Sequence, residues 1–407
     1  MMNPYDEHLA GKARPLSRKK GTRAVIVREF SRIISDRLYI LLMLIFPLLT
    51  MGILWALFSA GVPRDLPIVV NDADNSHLSR RLTRMLDASP TLRVVRKVDT
   101  VDDGHKQILS GRCYALVVLP RNLEQDFLAM KAPHIVGYYN NQLLLPGSLI
   151  NRDLHSVIQS LSDQLEKKLR IQINDMAVKP EQPFEPVRLE TQVMFNPYLN
   201  YLYFLFSALL PAVLQILVTI TTIYAFGSEL KQGTAGTWFK SAGKRMRKAV
   251  IGKMLPYTGV FLILGLFFNL FLYGWVGVPI KGSLPLVLFG TVLLVLACQS
   301  IGLLLVSITA NLRLALSGGL FYTVPALAFA GLTFPIMAMP SFGKIWAWIL
   351  PLTHYLKIFV DQSIRGIPMV YSLLPLGGLV LFLIPGPATA IFRLKRMMTD
   401  KNYWGRL

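Results

Sequence analysis

The segment Gly236 to Lys244, GTWFKSAGK, comes closest to a phosphate-binding motif. A phosphate-binding loop follows the pattern G-x-x-x-x-G-K-[ST], in which backbone amides and the lysine hold the phosphates and the hydroxyl binds magnesium. In this segment the two glycines stand two residues too far apart, and Arg245 takes the place of the hydroxyl residue. No predicted strand precedes the segment, so we interpret the match as a coincidence and expect no nucleotide site here.

His354, in the segment PLTHYLK, is the only histidine that follows residue 155. As a general base it would need a hydrogen-bonded partner, and Asp361 is the nearest acid. The simpler interpretation places both residues at the outer membrane interface without a catalytic role. The other histidines show no metal-ligand spacing, and Cys113 and Cys298 fall in segments of opposite polarity, so we expect neither a metal site nor a disulfide.

The composition is that of a membrane protein with several spans. The chain has 407 residues, of which 53% are hydrophobic, and yet its formal net charge is +20. Residues 61–197 hold 17 basic and 16 acidic residues, so nearly all of the positive excess lies in the rest of the chain. Those basic residues cluster beside apolar runs, which is the positive-inside pattern of membrane proteins and argues against a nucleic-acid partner.

Six apolar runs are long enough to cross a lipid bilayer, and none has an ionisable residue at its centre. We predict spans at 39–60, 199–226, 255–276, 284–308, 314–334 and 371–392. A cleaved signal peptide is the alternative for the first run. Its charged leader would be unusually long, however, and no A-x-A site follows it.

The loop at residues 227–253 carries seven basic residues and one acid, Glu229. Short loops with such an excess stay on the cytoplasmic side, so we expect this loop, the N-terminal segment 1–38 and the tail 393–407 to be cytoplasmic. Trp238 and Phe239 give the loop an apolar side, which predicts a short helix at the membrane surface. Apolar residues at helical spacing after Val25 likewise predict an amphipathic helix.

Residues 61–197 have the composition of a small α/β domain, and counting spans places them outside the cytoplasm. Strands and helices are predicted to alternate, which implies a sheet with crossover helices and one long final helix. The predicted strands are 66–71, 92–97, 115–119 and 134–139, and the predicted helices are 76–87, 101–110, 122–130 and 149–176, the last ended by the Pro-rich stretch 180–186. The predicted fold class is an α-helical integral membrane protein with six transmembrane helices and an inserted extracytoplasmic α/β domain.

The outer segment 335–370 is too long and too apolar for a simple loop. Its tryptophans are typical of residues that anchor a chain at the membrane interface. We therefore predict a re-entrant or interfacial pair of short helices here.

Several short segments, each weak alone, occur together in an order that resembles one transporter family. They are Arg28-Glu29-Phe30 through Asp36-Arg37 with Pro47 in the first span, FNPYLNY at 195–201, ELKQGT at 229–234, LTFPIMAMP at 332–340 and LPLTHY at 350–355. The chain resembles the permease subunit of the ABC type-2 transporter family, of the bacterial exporter kind with a large extracytoplasmic domain between the first two spans.

This resemblance implies a non-catalytic membrane subunit that binds no cofactor and pairs with a second permease copy or paralogue. A separate cytoplasmic ABC ATPase would bind ATP and magnesium. The residues expected to couple this chain to the ATPase are Arg28, Glu29, Glu229, Lys231, Gly233, Thr234 and Trp238. Those expected in an outer gate or re-entrant segment are Phe334, Pro335, Pro340, Pro351 and His354.

The loop departs from the family pattern, because Lys231 replaces a second acid and Gly236 stands where a further glutamate is common. The contacts to the ATPase should therefore differ in charge. The alternative role for Glu229 is an N-terminal helix cap.

The expected function is ATP-driven export of an apolar or amphipathic substrate, a drug or a lipid-like molecule, from the cytoplasm or inner leaflet across a bacterial inner membrane. The extracytoplasmic domain would dock a periplasmic adaptor or only stabilise a dimer. A ligand-sensing receptor or scaffold is the alternative, but only about 15 residues follow the last span, too few for a signalling domain. An integral membrane transferase would need paired carboxylates or a metal site, and the sequence shows neither.

Overall fold

The structure is a computed structural model that describes residues 20–129, 133–140, 144–175 and 200–405. The chain forms two compact units, Met1–Ser59 with Tyr201–Leu407 and Ala60–Asn200. We call the first the helical unit and the second the inserted domain. The predicted Pro-rich stretch at 180–186 and most of the segment at 195–201 lie outside the described residues.

Two helices begin the described part of the helical unit. The amphipathic helix α1, Thr22–Ser35, presents Arg28 and Arg32 one turn apart on the same side, because residues four apart in a helix are neighbours. Asp36 caps the next helix, since its carboxylate accepts a hydrogen bond of 3.0 Å from the backbone amide of Leu38. That helix, α2, runs over Arg37–Phe58 and confirms the first predicted span.

The inserted domain alternates strands with helices as predicted. Its elements are β1 Leu66–Asp72, α3 His77–Asp87, β2 Leu92–Lys97, α4 Val101–Leu109, β3 Ala115–Leu119, α5 Leu123–Leu128, β4 Val136–Tyr139 and α6 Leu144–Asp175. The hydroxyl of Ser76 accepts a hydrogen bond of 3.1 Å from the backbone amide of Ser79, which confirms Ser76 as the cap of α3.

The sheet has the strand order β2-β1-β3-β4. Strand β1 pairs in parallel with β2 and β3, and β4 pairs antiparallel with β3 at the edge. Parallel neighbours need a crossover connection, which α3 and α4 supply. The central strands are continuous apolar runs because Ile68 and Val70 face one buried cluster while Val69 faces another.

The remaining elements belong to the helical unit. They are α7 Leu202–Lys231, α8 Ala235–Ser241, α9 Met246–Trp275, α10 Leu284–Thr309, α11 Leu312–Phe329, α12 Ser341–Trp348, α13 Pro351–Phe359 and α14 Met369–Thr399. Within the described residues six helices are long and apolar enough to cross a membrane, namely α2, α7, α9, α10, α11 and α14. These confirm the predicted number of spans. Helices α12 and α13 are two short helices within the outer segment 335–370, and their re-entrant or interfacial position stays a prediction.

The core of the helical unit forms around α10, which packs against α7, α9, α13 and α14. Small residues allow the closest helix contacts. At Gly386 of α14, the backbone amide donates a 3.0 Å hydrogen bond to the Ser300 hydroxyl of α10. A Cβ atom at Gly386 would lie 2.1 Å from the Ser300 carbonyl oxygen, so any side chain there would clash with backbone.

The helical unit has two chemically different ends. Helix α1, helix α8 and the last residues of α14 meet at one end, where the backbone amide of Gly21 donates to the Ser241 carbonyl at 2.9 Å and that of Gly405 to the Leu230 carbonyl at 3.1 Å. We call this the basic end. Helices α12 and α13 and the start of α14 lie at the opposite end, one span away along the chain.

Candidate functional site

Two acids of the helical unit converge on one lysine at the basic end. The Lys253 ammonium of α9 lies 2.8 Å from Oε2 of Glu29 in α1 and 2.9 Å from Oε1 of Glu229 in α7. All three side chains are fully buried. The three charges join segments that are 24 and 224 residues apart in the sequence.

Two arginines of α1 complete this arrangement. Nη2 of Arg28 lies 2.8 Å from Oε1 and 2.9 Å from Oε2 of Glu229, and its Nη1 lies 2.8 Å from Oε1 of Glu29. Arg32 also pairs with Glu229 and donates a 2.9 Å hydrogen bond to the Ser228 hydroxyl. Three cations therefore surround two carboxylates, and each charge has an opposite partner.

Neutral hydroxyl groups also donate hydrogen bonds to the two carboxylates. The Tyr257 hydroxyl donates to Glu29 at 3.1 Å, and the Thr234 hydroxyl donates to Glu229. The Lys253 ammonium lies 5.1 Å from the centre of the Trp238 ring, a distance at which a cation is attracted to the ring face. We call Arg28, Glu29, Arg32, Glu229 and Lys253, with these neighbours, the ion cluster.

Each buried ion of the cluster is stable only while its oppositely charged partners are present. Removing an ion from water costs several kcal/mol, and only close pairing offsets that cost. Burial by itself would lower the pKa of the Arg32 guanidinium, but the nearby Glu229 carboxylate raises it, and the pKa lies above its ordinary value. Arg32 is therefore positively charged at every physiological pH.

Close backbone packing holds α1 in register with α9. A Cβ atom at Gly252 would lie 2.9 Å from the Thr22 carbonyl oxygen and from Cβ of Val25, so glycine is needed beside Lys253. Gly233 ends α7 with a φ of +68°, which glycine adopts without strain. Its amide donates to the Leu230 carbonyl at 3.3 Å. These contacts place Glu229 in the last turn of α7, facing the lysine.

Most of the residues predicted to couple the chain to an ATPase lie in this cluster. Arg28, Glu29, Glu229, Thr234 and Trp238 come together, and the Glu229 and Trp238 side chains are buried. Their coupling role stays a prediction. The alternative of an N-terminal cap for Glu229 is wrong, because this residue lies in the last turn of its helix, where the dipole disfavours an acid.

Lys231 and Gly233 lie outside the ion cluster. The Lys231 side chain is exposed, and Gly233 acts through its backbone at the end of α7. Both stay predicted coupling residues.

Sequence reasoning missed Lys253, Arg32 and Tyr257. The third span was predicted to begin at residue 255, which left Lys253 in a loop, whereas α9 starts at Met246. Charges are absent from the centres of the spans as expected, but buried ions do occur at the ends of α7 and α9. The available signal was that Glu29 and Glu229 are rare acids among many basic residues at the predicted inner face.

The residues predicted for an outer gate lie at the opposite end. Pro340 immediately precedes α12 and Pro351 is the first residue of α13, while Phe334 is half exposed and Pro335 precedes a short turn. Their gating role stays a prediction.

His354 is buried in α13, and its Nε2 lies 3.0 Å from the Trp348 carbonyl oxygen. Asp361 instead pairs with Arg365 at 3.2 Å. The histidine and the aspartate therefore do not form an acid–base pair.

Cys113 and Cys298 are buried free thiols. Among the residues that the structure describes, no group of three or more histidine, cysteine or acidic side chains could hold a metal ion.

The comparison with known proteins extends over most of the chain. The family model described as ABC-2 family transporter protein matches residues 37–384. The "Probable multidrug ABC transporter permease YbhS" of Escherichia coli is 23% identical over 88% of this chain and 92% of its own length. The "Inner membrane transport permease YhhJ" of the same bacterium is 24% identical over 77% of this chain and 82% of its own length.

A eukaryotic relative shows how widely the pattern extends. The "ABC transporter G family member 20" of Dictyostelium discoideum is 22% identical over 86% of this chain but over only 47% of its own length. The family match covers the helical unit from α2 into α14 as well as the inserted domain. This multi-pass membrane protein therefore belongs to the ABC-2 family of transporters, in which it is a permease.

Proposed function

We propose that this chain is the membrane subunit of an ATP-driven exporter and that a separate ATPase, holding ATP and magnesium, moves it from the basic end. The observation that carries this proposal is the ion cluster. It ties the surface helix α1 and the end of α7 to the start of α9 through buried charges.

The ion cluster makes these elements move together. Separating α1 from α7 and α9 would leave buried ions without partners, which costs roughly 3–5 kcal/mol for a single broken pair. A force applied to α1 or α8 therefore displaces the spans and does not detach the helix from them. The spans are stiff helices, so a displacement at their basic ends reaches the opposite end of the helical unit.

The surface around the ion cluster suits an acidic partner. Lys231, Lys240, Lys244 and Arg245 are exposed on α8 and beside it. In this proposal the exposed cations bind the ATPase, and the buried ions transmit its movement. That division accounts for the departure at Lys231, where the family pattern has an acid.

The proposed orientation follows from charge. Basic residues resist translocation, so the basic end lies in the cytoplasm and the inserted domain on the other side of an inner membrane. A second permease copy or paralogue would complete the path, with the inserted domain available to an adaptor. Uncharged span centres favour an apolar or amphipathic substrate, in keeping with the multidrug name of the relative YbhS.

Charge reversal on the surface tests this function. The tagged chain is purified in mild detergent from its own cells, and ATP hydrolysis by the purified complex is measured. Lys240→Glu with Arg245→Glu should reduce hydrolysis at least tenfold. Reversal of two exposed arginines of the inserted domain, Arg112→Glu with Arg121→Glu, should leave it unchanged. Undiminished hydrolysis in the first variant, or hydrolysis by the isolated chain, would contradict the proposal.

A further inference from the structure

A pocket of about 240 Å³ lies at the end of the helical unit opposite to the basic end. It is formed by residues of the short turn before α12, of α12 and α13, and of the start of α14. Ile336, Trp348 and Leu374 supply apolar walls, and Thr353, His354 and Lys357 supply polar atoms. The pocket lies one span away from the ion cluster, and none of its residues takes part in that cluster.

Two of its polar groups make no side-chain hydrogen bond or direct ion pair among the described residues. The Thr353 side chain is only 7% exposed, and its hydroxyl makes no hydrogen bond there. Leaving a buried hydroxyl without a partner is unfavourable, so the site favours a bound acceptor. Lys357 follows one turn later in α13, is exposed and makes no ion pair within the described part of the chain.

The neighbouring groups are already engaged and leave the pocket positively charged. His354 Nε2 is bonded to the Trp348 carbonyl oxygen at 3.0 Å, and the other side of its ring faces Gly378, where a Cβ would lie 2.5 Å from Nδ1. Asp361 is paired with Arg365 at 3.2 Å. Among the described residues no acidic side chain lines the pocket, and Asp361, one turn after Lys357, is shared between Arg365 and Lys357, so the charge of Lys357 is only partly compensated.

The first turn of α13 also leaves no free amide that would bind an anion instead. The Leu352 amide donates to the Gln215 side chain at 3.1 Å, and the Thr353 amide donates to the Leu350 carbonyl at 3.2 Å. Pro351 has no amide hydrogen. The donors that remain for a ligand are the Thr353 hydroxyl and the Lys357 ammonium.

The size and surroundings of the pocket define the rest of the ligand. At about 30 Å³ for each water, the pocket holds the equivalent of roughly eight waters, enough for an acidic headgroup and a few carbons. The surface outside it is apolar and exposed, with Trp348 at 59%, Leu374 at 69% and Met337 at 90% exposure. A hydrocarbon chain that leaves the pocket would therefore lie along this surface.

We propose that the pocket binds the acidic headgroup of an anionic amphiphile, with acid oxygens on Thr353 and Lys357 and the hydrocarbon chain over Trp348 and Leu374. A fatty-acid carboxylate and the phosphate of an anionic phospholipid share this chemistry. The site is independent of the direction of transport and of the ATPase, so it stands or falls separately from the proposed exporter function.

Native mass spectrometry of the full chain in detergent tests the proposal with three probes: oleate, phosphatidylglycerol and phosphatidylcholine. The wild-type chain should retain one oleate or one phosphatidylglycerol at least tenfold more tightly than phosphatidylcholine. Preference for oleate would identify a free acid as the ligand, and preference for phosphatidylglycerol a phospholipid. Either preference supports the shared chemistry.

Substitutions assign the binding to this pocket. Lys357→Gln should weaken binding of the preferred anion at least tenfold, and Thr353→Val, which keeps the side-chain shape, about threefold to tenfold. Lys344→Gln removes an exposed lysine of α12 at the same end and should have no effect. If Lys357→Gln fails to fold, Thr353→Val, checked by thermal unfolding, decides the matter.

Equal retention of phosphatidylcholine would overturn the proposal. Equal weakening by Lys344→Gln, or unchanged binding in a folded Thr353→Val chain, would overturn it as well.

Discussion

The two ends of the helical unit place their cations in different surroundings. At the basic end, Lys253 contacts two carboxylates, and each charge of the ion cluster has a partner. At the opposite end, among the residues that the structure describes, the Thr353 hydroxyl has no hydrogen-bond partner and the exposed Lys357 makes no direct ion pair. The first arrangement holds segments together, whereas the second leaves room and charge for a ligand.

The difference separates two kinds of task. Paired buried charges resist separation, so they suit the transmission of movement between elements. Unpaired donors in an apolar pocket instead favour binding of a molecule that supplies the missing acceptor. In this chain the two properties lie at different ends of the helical unit and on different helices.

Replacing Lys253 should have the largest effect, because Glu29 and Glu229 would lose the fully buried cation that contacts both of them, and only the partly exposed Arg28 would still bridge the pair. Lys253→Met is expected to destabilise the helical unit by about 3–5 kcal/mol, the cost of breaking a buried ion pair. Thermal unfolding in detergent measures this loss. Lys248→Met, an exposed lysine on the same helix, is the matched control and should change the unfolding temperature little.

A second substitution distinguishes the effect of the lost ion pair from the effect of altered packing at Lys253. Adding Glu29→Gln to Lys253→Met removes one acid along with the lysine, so the acid that loses its buried partner is gone and the ion cluster returns to its wild-type net charge of +1. It should recover part of the lost stability. A single Lys253→Met chain as stable as the wild type would show that the ion cluster is not a structural link.

Gly386→Ala tests whether the middle of the helical unit is as tightly specified as its basic end. The added methyl group would lie against the Ser300 carbonyl oxygen, so we expect a loss of about 1–3 kcal/mol or more from overpacking. The unfolding temperature in detergent measures it. Gly377→Ala on the same helix meets no atom within 4 Å and should stabilise slightly. Equal effects of the two changes would argue against the close contact of α14 with α10.

Gln215→Leu sharpens the comparison at the opposite end. The side-chain oxygen Oε1 of Gln215 accepts a hydrogen bond from the Leu352 backbone amide at 3.1 Å. Its loss leaves that buried amide at the start of α13 without an acceptor, at a cost of about 1–3 kcal/mol. Hydrogen exchange in peptides that cover α13 should speed up. Gln299→Leu, another buried glutamine of a span, should leave α13 unchanged. Identical exchange in both variants would show that Gln215 does not hold α13.

The smallest expected effect concerns the inserted domain and its pH dependence. Burial opposes the charge on Asp72, but the Asn75 amide at 3.0 Å and Lys97 at 3.1 Å hold the pKa of Asp72 below its ordinary value. A lowered pKa gives stability above about pH 4, the ordinary carboxyl value, and this stability is lost as the pH falls through the folded-state pKa.

Asp72→Asn should accordingly reduce protection of β1 against hydrogen exchange at pH 7, by less than about 1 kcal/mol, because Lys97 is half exposed. As the pH falls toward the folded-state pKa of Asp72, the difference between the variant and the wild type should shrink. Asp99→Asn, at an exposed acid in the same domain, is the control. A difference that grows toward low pH would contradict the assigned sign.

The sequence predicted elements well where one local pattern determines them. The strands β2 and β3 have the predicted bounds because each is an apolar run between turn residues, and α3 starts after its predicted cap Ser76. The spans were predicted because long uncharged runs have few alternatives. Helices α7 and α9 nevertheless extend beyond the predicted limits, through Glu229 and Lys253.

That extension explains why the ion cluster could not be predicted. A charge at the end of an apolar run ends a predicted span, whereas in the folded chain an opposite charge from another element lets the helix continue into the protein. The partners of Lys253 are 24 and 224 residues away, and no spacing rule connects them. The unpaired Thr353 hydroxyl could not be predicted from the sequence either, because only the folded chain determines which groups lie within hydrogen-bond distance.

The most direct test of the central claim asks whether movement at the basic end reaches the opposite end through the ion cluster. A cysteine introduced at exposed Lys344 carries an environment-sensitive dye, while the native thiols are buried. In the complex with the ATPase, ATP should change the dye signal in the wild-type chain and in the Lys248→Met chain. The Glu29→Gln and Lys253→Met double variant, which keeps the wild-type net charge of the ion cluster, should lose this change if it is folded and bound to the ATPase. An undiminished ATP-dependent signal in that variant would contradict the account.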